Sequence, residues 1–276
     1  MNLNWIESIV YGFISGMAEF LPISSKAHQM ILLHLCGADV VDPVRDLFVH
    51  VALFLSLYTS LKPTFDNMRR EIGQRSGRRN HTYVSRDQYD THLIKNAVFP
   101  MLIGLFLISY IFKPESSLLA TSAFFLVNGI LIFLPVRMMQ GNKDARSMSV
   151  FDSILLGVFG ALSAFPGISR IGCTTSVAVS RGASRQNALH WAFLLSIPAI
   201  LALSCFDVFG IITYAQIIPF WNSFLTYILS AIFAYLGGYI GIGLMKFLTV
   251  RVGFSGFAYY SWGAGLFTFL LYLLVV

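Results

Sequence analysis

The sequence predicts an all-α integral membrane protein built as an inverted-topology repeat, each half one re-entrant helical hairpin followed by three transmembrane helices. Three observations carry this prediction. The 276 residues are 56% hydrophobic and only 12% charged, with a mean hydropathy of +0.71, which is too apolar for a soluble globular domain. One segment occurs twice, once in each half of the chain. Both copies end in a proline break followed by small, hydroxyl-bearing and charged residues, and non-helical backbone at membrane depth is tolerated only where protein or water covers it.

The first element is the first copy of the repeat. The stretch ESIVYGFISGMAEFLPISS (Glu7 to Ser25) aligns on DSILLGVFGALSAFPGISR (Asp152 to Arg170). Ser8 matches Ser153, Gly12 matches Gly157, Phe20 matches Phe165, Ile23 matches Ile168 and Ser24 matches Ser169, with an acid heading each copy. Such internal repeats in apolar chains commonly form two halves that meet around a site. No basic region precedes the first apolar run, so no cleavable signal peptide is expected. Full spans are predicted over 47–61, 96–112 and 118–136, then, after the second hairpin, over 190–206, 222–245 and 256–276. The chain is therefore read as a single membrane domain, 1–276, with repeat one over 1–146 and repeat two over 147–276. Three spans per half is an odd number, so the second half lies upside down relative to the first.

Charge sets the orientation. Residues 62–95 hold Lys62, Arg69, Arg70, Arg75, Arg78, Arg79, Arg86 and Lys95 against four acids, marking a cytoplasmic loop. The alternation then places 137–146, 181–189 and 246–255 on the same side, and together these four segments hold 15 of the 19 basic residues. Segments 37–46, 113–117 and 206–221 are expected outside, with Arg45, Lys113, Asp39, Asp42, Asp46, Glu115 and Asp207. A nucleic-acid patch is excluded as the reading of the basic loop, which has no fold of its own and follows a span directly. Cys36, Cys173 and Cys205 lack metal-ligand spacing and read as small core residues. The glycines at 237, 238, 241 and 243 lie in an apolar run and read as close helix packing rather than nucleotide binding. Trp5, Trp221, Trp262 and the Tyr259–Tyr260 pair read as interfacial anchors. His34, His81 and His92 show no ligand spacing, and His190 reads as a packed or interfacial residue.

The chemistry sits at the broken tips. The first supplies Glu19, Ser24, Ser25, Lys26 and His28; the second supplies Ser169, Arg170 and Thr174. Charged groups at membrane depth are costly and usually functional. An arginine beside Gly167 and Gly172, hydroxyls and the free amides of a broken helix suits a phosphate. A carboxylate, a hydroxyl and an imidazole within ten residues can supply a base, a nucleophile and an acid for cleaving a phosphoanhydride. The competing reading makes the serines helix caps and pairs Glu19 with Arg170 or Lys26 as structural glue. His50, intramembrane and near Asp46, is either a support for the site from behind or a core histidine.

EFLPISSKAH at 19–28 and PGISRIGCT at 166–174 resemble the two signature segments of the bacterial undecaprenyl-diphosphate phosphatase family, the bacitracin-resistance type. The resemblance continues through Asp46-Leu47-Phe48-Val49-His50 and through Gly182-Ala183-Ser184-Arg185 followed by Phe193 to Pro198, covering most of the chain in order. It implies an inverted-repeat enzyme of the bacterial plasma membrane that removes the terminal phosphate of a C55 polyprenyl diphosphate and recycles the carrier lipid for cell-wall polymers. Carried over by position, it implies catalytic roles for Glu19, Ser25, His28 and Arg170, with Ser24, Ser169, Gly172 and Thr174 beside the phosphate. Lys26 is expected to bind the substrate with them, and Ser15, Asp46 and His50 to support the site from behind. Either Ser25 or a water attacks the phosphorus. A homodimer is left open.

The chain also departs from the pattern. Ser15 stands where the family usually carries an acid or glutamine, Gly160 where it carries glutamine, Ile171 where a serine follows the arginine, and Ala192 where a serine is common. All four changes remove polar groups. The family's activity is linked to Mg²⁺ or Ca²⁺, and hard cations want several oxygen ligands, so Ser15 weakens that expectation. The alternative function is a non-catalytic relative that binds and translocates a polyprenyl phosphate or another anionic lipid, a role that inverted repeats with broken helices also serve.

Overall fold

The structure is a computed structural model that describes residues 3–38, 42–75, 86–112, 117–137, 141–214, 220–251 and 254–275. Among these it has ten α-helices and no named β-strand, so the all-α expectation holds. They are α1 (Trp5–Phe20), α2 (Ser25–Leu35), α3 (Pro43–Arg75), α4 (Arg86–Phe106), α5 (Leu118–Phe133), α6 (Val150–Ala161), α7 (Arg170–Ser180), α8 (Arg185–Tyr214), α9 (Phe220–Arg251) and α10 (Ser255–Val275). Five of them, α3, α4, α8, α9 and α10, are long and apolar enough to cross a membrane, which makes this a multi-pass membrane protein. α5, predicted as a full span, has 16 residues before its last turn tightens into a 3₁₀ turn to Arg137.

Both predicted helix breaks are present. α1 opens on a capping box in which Asn4 accepts the Glu7 amide at 2.9 Å and Glu7 accepts that of Asn4 at 2.7 Å; it ends before Pro22. α6 opens on the matching box, Ser149 with Asp152, at 3.1 and 3.0 Å. The acids that head the two copies are therefore cap residues that satisfy otherwise unpaired first-turn amides. After α6 the chain tightens over 162–164, turns through Gly167 at φ 111°, and re-enters α7 at Arg170.

The helices pack in exchanged pairs. α1 packs on α9 and α6 on α4; α3 packs on α9 and α8 on α4; α5 packs on α10, and α3 on α8. Small residues allow the approach. A Cβ at Gly12 would overlap the Ser230 carbonyl oxygen of α9, and one at Gly157 would overlap that of Ala97 in α4. Gly237 and Gly241 bring α9 onto the carbonyls of Phe13 and Met17, as their packing role predicts, whereas Gly243 faces open space.

Three expectations change. The 62–95 segment is largely helical, because α3 runs on to Arg75 and α4 starts at Arg86; charged residues continue a helix readily where apolar windows end. The middle of that loop, with Arg78, Arg79 and His81, lies outside the described residues, as do Asp39, Lys113 and Glu115. Asp207 belongs to a span rather than to an outer loop, and Asp46 sits in the first turn of α3. Of the cysteines only Cys173 is buried; Cys36 is half-buried and Cys205 exposed.

Candidate active site

The two broken tips bond to each other. The Gly167 amide donates to Ser24 Oγ at 3.0 Å, and Ser169 Oγ donates to the Leu21 carbonyl at 3.1 Å. Asn128, fully buried on α5, accepts the Ser169 amide at 2.9 Å and donates to the Pro22 carbonyl at 3.2 Å and to Ser261 Oγ at 3.0 Å. Ser169 also caps α7 by accepting the Gly172 amide at 3.2 Å. Ser24 does not cap α2, because its hydroxyl is engaged by Gly167. α2 thus begins at the tip junction without a side-chain cap, and such a terminus favours anions.

Beside this junction a cavity of about 910 Å³ is lined by Glu19, Ser24, Ser25, Lys26, Ser169 and Arg170. Arg170 Nη1 donates to Glu19 Oε1 at 2.9 Å, its Nε to Ser163 Oγ at 3.4 Å, and both charged side chains are largely buried. Lys26 Nζ reaches across to the Ala164 carbonyl at 3.4 Å. Ser25 Oγ donates to the Ser15 carbonyl at 3.2 Å. Two cations from opposite tips therefore face one space with a nearby hydroxyl.

His28, Gly172 and Thr174 lie outside the cavity lining. The cavity-lining stripe of α2 runs through Lys26, Gln29, Met30 and Leu33, and His28 lies about 200° round the helix from Lys26. Its ring stacks on Tyr260 and meets Phe125 edge-on, outside the cavity lining. Nδ1 lies 2.8 Å from the Ser24 carbonyl and Nε2 2.7 Å from the Tyr260 hydroxyl, so Tyr260 is a partner of the tip as well as an aromatic near a helix end. Gly172 packs between Ile132 and Pro22. Thr174 is fully buried and its hydroxyl has no hydrogen-bond partner among the described residues. Asp46 and His50 both line the cavity.

Against known proteins, the family model for bacitracin resistance protein BacA matches residues 8–267. The chain belongs to the BacA family. Similar relatives include undecaprenyl-diphosphatase 3 of Bacillus cereus, 29% identical over 275 residues and covering 98% of both chains. Undecaprenyl-diphosphatases of Methanococcus maripaludis and Halothermothrix orenii are each 28% identical, over 95% of this chain and 98% and 96% of theirs respectively.

This BacA-family site has features that the sequence reading passed over. Gln29 donates to Ser15 Oγ at 3.0 Å, so an amide fills space near the position where an acid or glutamine was expected. Ser163, seven residues earlier in the chain, accepts from Arg170, and Tyr11 and Asp207 also line the cavity. Asn128 and Asp207 carried a usable signal, each being a polar residue in or beside an apolar run. Opposite Thr174, a Cβ on Gly160 would come 3.4 Å from the orphan hydroxyl; the absence of a longer polar side chain there fits that unpaired group.

The donors near the tips do not assemble a protein cage for a divalent cation. Glu19 is paired with Arg170, the Ser15 hydroxyl is held by Gln29, and among the described residues no group of three or more His, Cys, Asp or Glu is arranged to hold a metal ion. Hard cations take six or more oxygens.

Proposed function

We propose that the chain is a phosphatase of the bacterial plasma membrane that hydrolyses undecaprenyl diphosphate, or a close polyprenyl relative, to the monophosphate and inorganic phosphate, recycling the carrier lipid of cell-wall synthesis. Membership of the BacA family and relatives named undecaprenyl-diphosphatase support the substrate. The observation that carries the chemistry is the Arg170–Glu19 pair, which joins the two tips at 2.9 Å inside the cavity.

Glu19 and Ser163 orient two nitrogens of the guanidinium, and the third has no protein hydrogen bond among the described residues. Arg170, Lys26 and the uncapped start of α2 suit a doubly charged diphosphate head. An oxygen of Ser25 or of water bonds to the terminal phosphorus, the bridging P–O bond breaks, and the lipid monophosphate leaves with the bridging oxygen and its electron pair; on the Ser25 route water then cleaves the phosphoserine, releasing inorganic phosphate and restoring the hydroxyl. Donors fixed before the reaction stabilise the developing charge by about 3 kcal/mol each. His28, bonded to the Ser24 carbonyl, is assigned to holding the first tip.

We read the architecture as the inverted repeat, 1–146 and 147–276, with re-entrant hairpins. Exchanged packing supports this: the first helix of each hairpin lies on the other half's second span, and the matched glycines Gly12 and Gly157 make equivalent approaches. Neighbours also agree on sides. Ser230 bonds Ser8 at 3.1 Å and Pro43 abuts Gly210 toward one end. Toward the other, Lys143 bonds Gly182 at 2.9 Å, Lys246 bonds Ser60 at 3.3 Å, and Arg181 pairs with Asp152.

The test is inorganic phosphate release from undecaprenyl diphosphate by purified wild type and Arg170→Ala in detergent. Release that falls about 10²- to 10³-fold in the variant is expected. A folded wild type that releases none overturns the reading.

A further inference from the structure

The cavity lining also holds ionisable groups that the proposed chemistry leaves unused. His50 on α3 bonds through Nδ1 to Oδ2 of Asp207 on α8 at 2.6 Å, and both side chains are largely buried. One turn earlier, Asp46 Oδ1 accepts the hydroxyl of Tyr11 from α1 at 2.7 Å. These four side chains line the same cavity as Glu19 and Arg170. Behind them, buried Arg45 sits over the rings of Tyr11 and Tyr227 and pairs with Asp42 at 3.8 Å.

An imidazole whose Nδ1 is held by a carboxylate is fixed in one tautomer. It presents Nε2 outward, and the carboxylate stabilises the cation formed when Nε2 takes a proton. Nε2 of His50 has no hydrogen-bond partner among the described residues, on a ring that lines the cavity. The other candidates lack this arrangement. Both ring nitrogens of His28 are engaged, and its ring lies outside the lining. His34 lines the cavity but makes no ion pair among the described residues.

We propose that His50, oriented by Asp207, is the general base of this cavity. The inference rests on the phosphatase reading. As the attacking oxygen bonds to the terminal phosphorus, its proton passes to Nε2 and the bridging P–O bond breaks. The lipid monophosphate leaves with the bridging oxygen and its electron pair, its charge met by Arg170 and Lys26, and the imidazolium releases its proton to water, leaving His50 neutral for the next turnover. Where Ser25 is the attacking group, His50 takes the proton of the water that then cleaves the phosphoserine to inorganic phosphate, and the serine hydroxyl is restored. Asp207 does not itself change protonation; it is a positioning residue.

The experiment measures steady-state phosphate release from undecaprenyl diphosphate by the full chain in detergent, for wild type, His50→Gln, His50→Gly and Asp207→Asn. Each protein is checked by thermal melting and gel filtration. In folded His50→Gln, kcat is expected to fall about 100-fold while KM changes little, as for loss of a group acting only in the transition state. Asp207→Asn lowers kcat in the same way. Added imidazole restores part of the rate to His50→Gly and none to Asp207→Asn, a difference that a merely structural α3–α8 clamp would not produce. Beside an active wild type, a folded His50→Gln with unchanged kcat, or a His50→Gly indifferent to imidazole, overturns this proposal alone. If the His50 variants fail to fold, an unchanged kcat in Asp207→Asn overturns it. A wild type that releases no phosphate overturns it together with the hydrolase reading.

Discussion

Ser24 is the one non-glycine residue with positive φ, 67°, among the described residues, and its hydroxyl is what Gly167 of the opposite tip bonds to. Strained backbone of this kind persists where its surroundings over-determine it, commonly at functional sites. Ser24→Gly removes the strain along with the acceptor, whereas Ser24→Ala keeps the strain and loses the acceptor. The alanine variant is therefore expected to melt lower than the glycine variant in a thermal scan in detergent. Arg170 and Glu19 form a buried pair, and removing one partner of such a pair typically costs about 3–5 kcal/mol because the other charge is left alone. Glu19→Ala should accordingly lower the melting temperature as well as the activity. Glu19, Ser25, Lys26 and Arg170 were legible in the sequence because the repeat marks both tips and charge there is conspicuous. Which face of α2 meets the cavity was not: His28 and Gln29 are adjacent in the chain and differ only in helical phase. Gln29 went unread because it does not stand in the repeat, and Asp207 was expected in an outer loop because the apolar window closes just before it.

At the scale of the element, the repeat's shared residues divide into caps and contacts. Ser149 and Asp152 form the capping box of α6, so Ser149→Ala should destabilise by about 1 kcal/mol, read as a lower melting temperature. Gly12 faces the Ser230 backbone, which cannot move aside as a flexible side chain would. Gly12→Ala is expected to cost about 1–3 kcal/mol through overpacking, while Gly243→Ala, with nothing within 4 Å, leaves stability unchanged or raises it. The helix breaks at Pro22 and Pro166 were legible from proline chemistry. Helix ends were not, because hydropathy reports where lipid contact stops rather than where backbone hydrogen bonding stops. α3 accordingly runs well past the apolar window that announced it, and Pro63, Pro100 and Pro198 lie inside helices. The π-helical turns over Leu107–Phe112 had no signal at all, yet they place Ser109 and Tyr110 in the cavity wall, a location where such turns recur.

At the scale of the molecule, charge distribution and packing are independent sources for one arrangement: segments that the positive-inside rule groups on one side are neighbours in space, as Lys143 and Gly182 are. In a cysteine-free background, Asp144→Cys should react with an impermeant maleimide only in inside-out vesicles, and Gly37→Cys only in right-side-out ones; the same sidedness for both would sink the proposed topology. The tip-to-tip bonds also bear on how the protein is made. Ser24 and Gly167 are 143 residues apart, so the nascent chain threads most of its length into the bilayer before the first tip has anything to close against. Until then Ser24 has no partner to hold its strained shape, and the pocket lacks Ser169, Arg170 and Asp207. A chain cut short before Gly167 therefore carries Glu19 without the arginine that pairs with it.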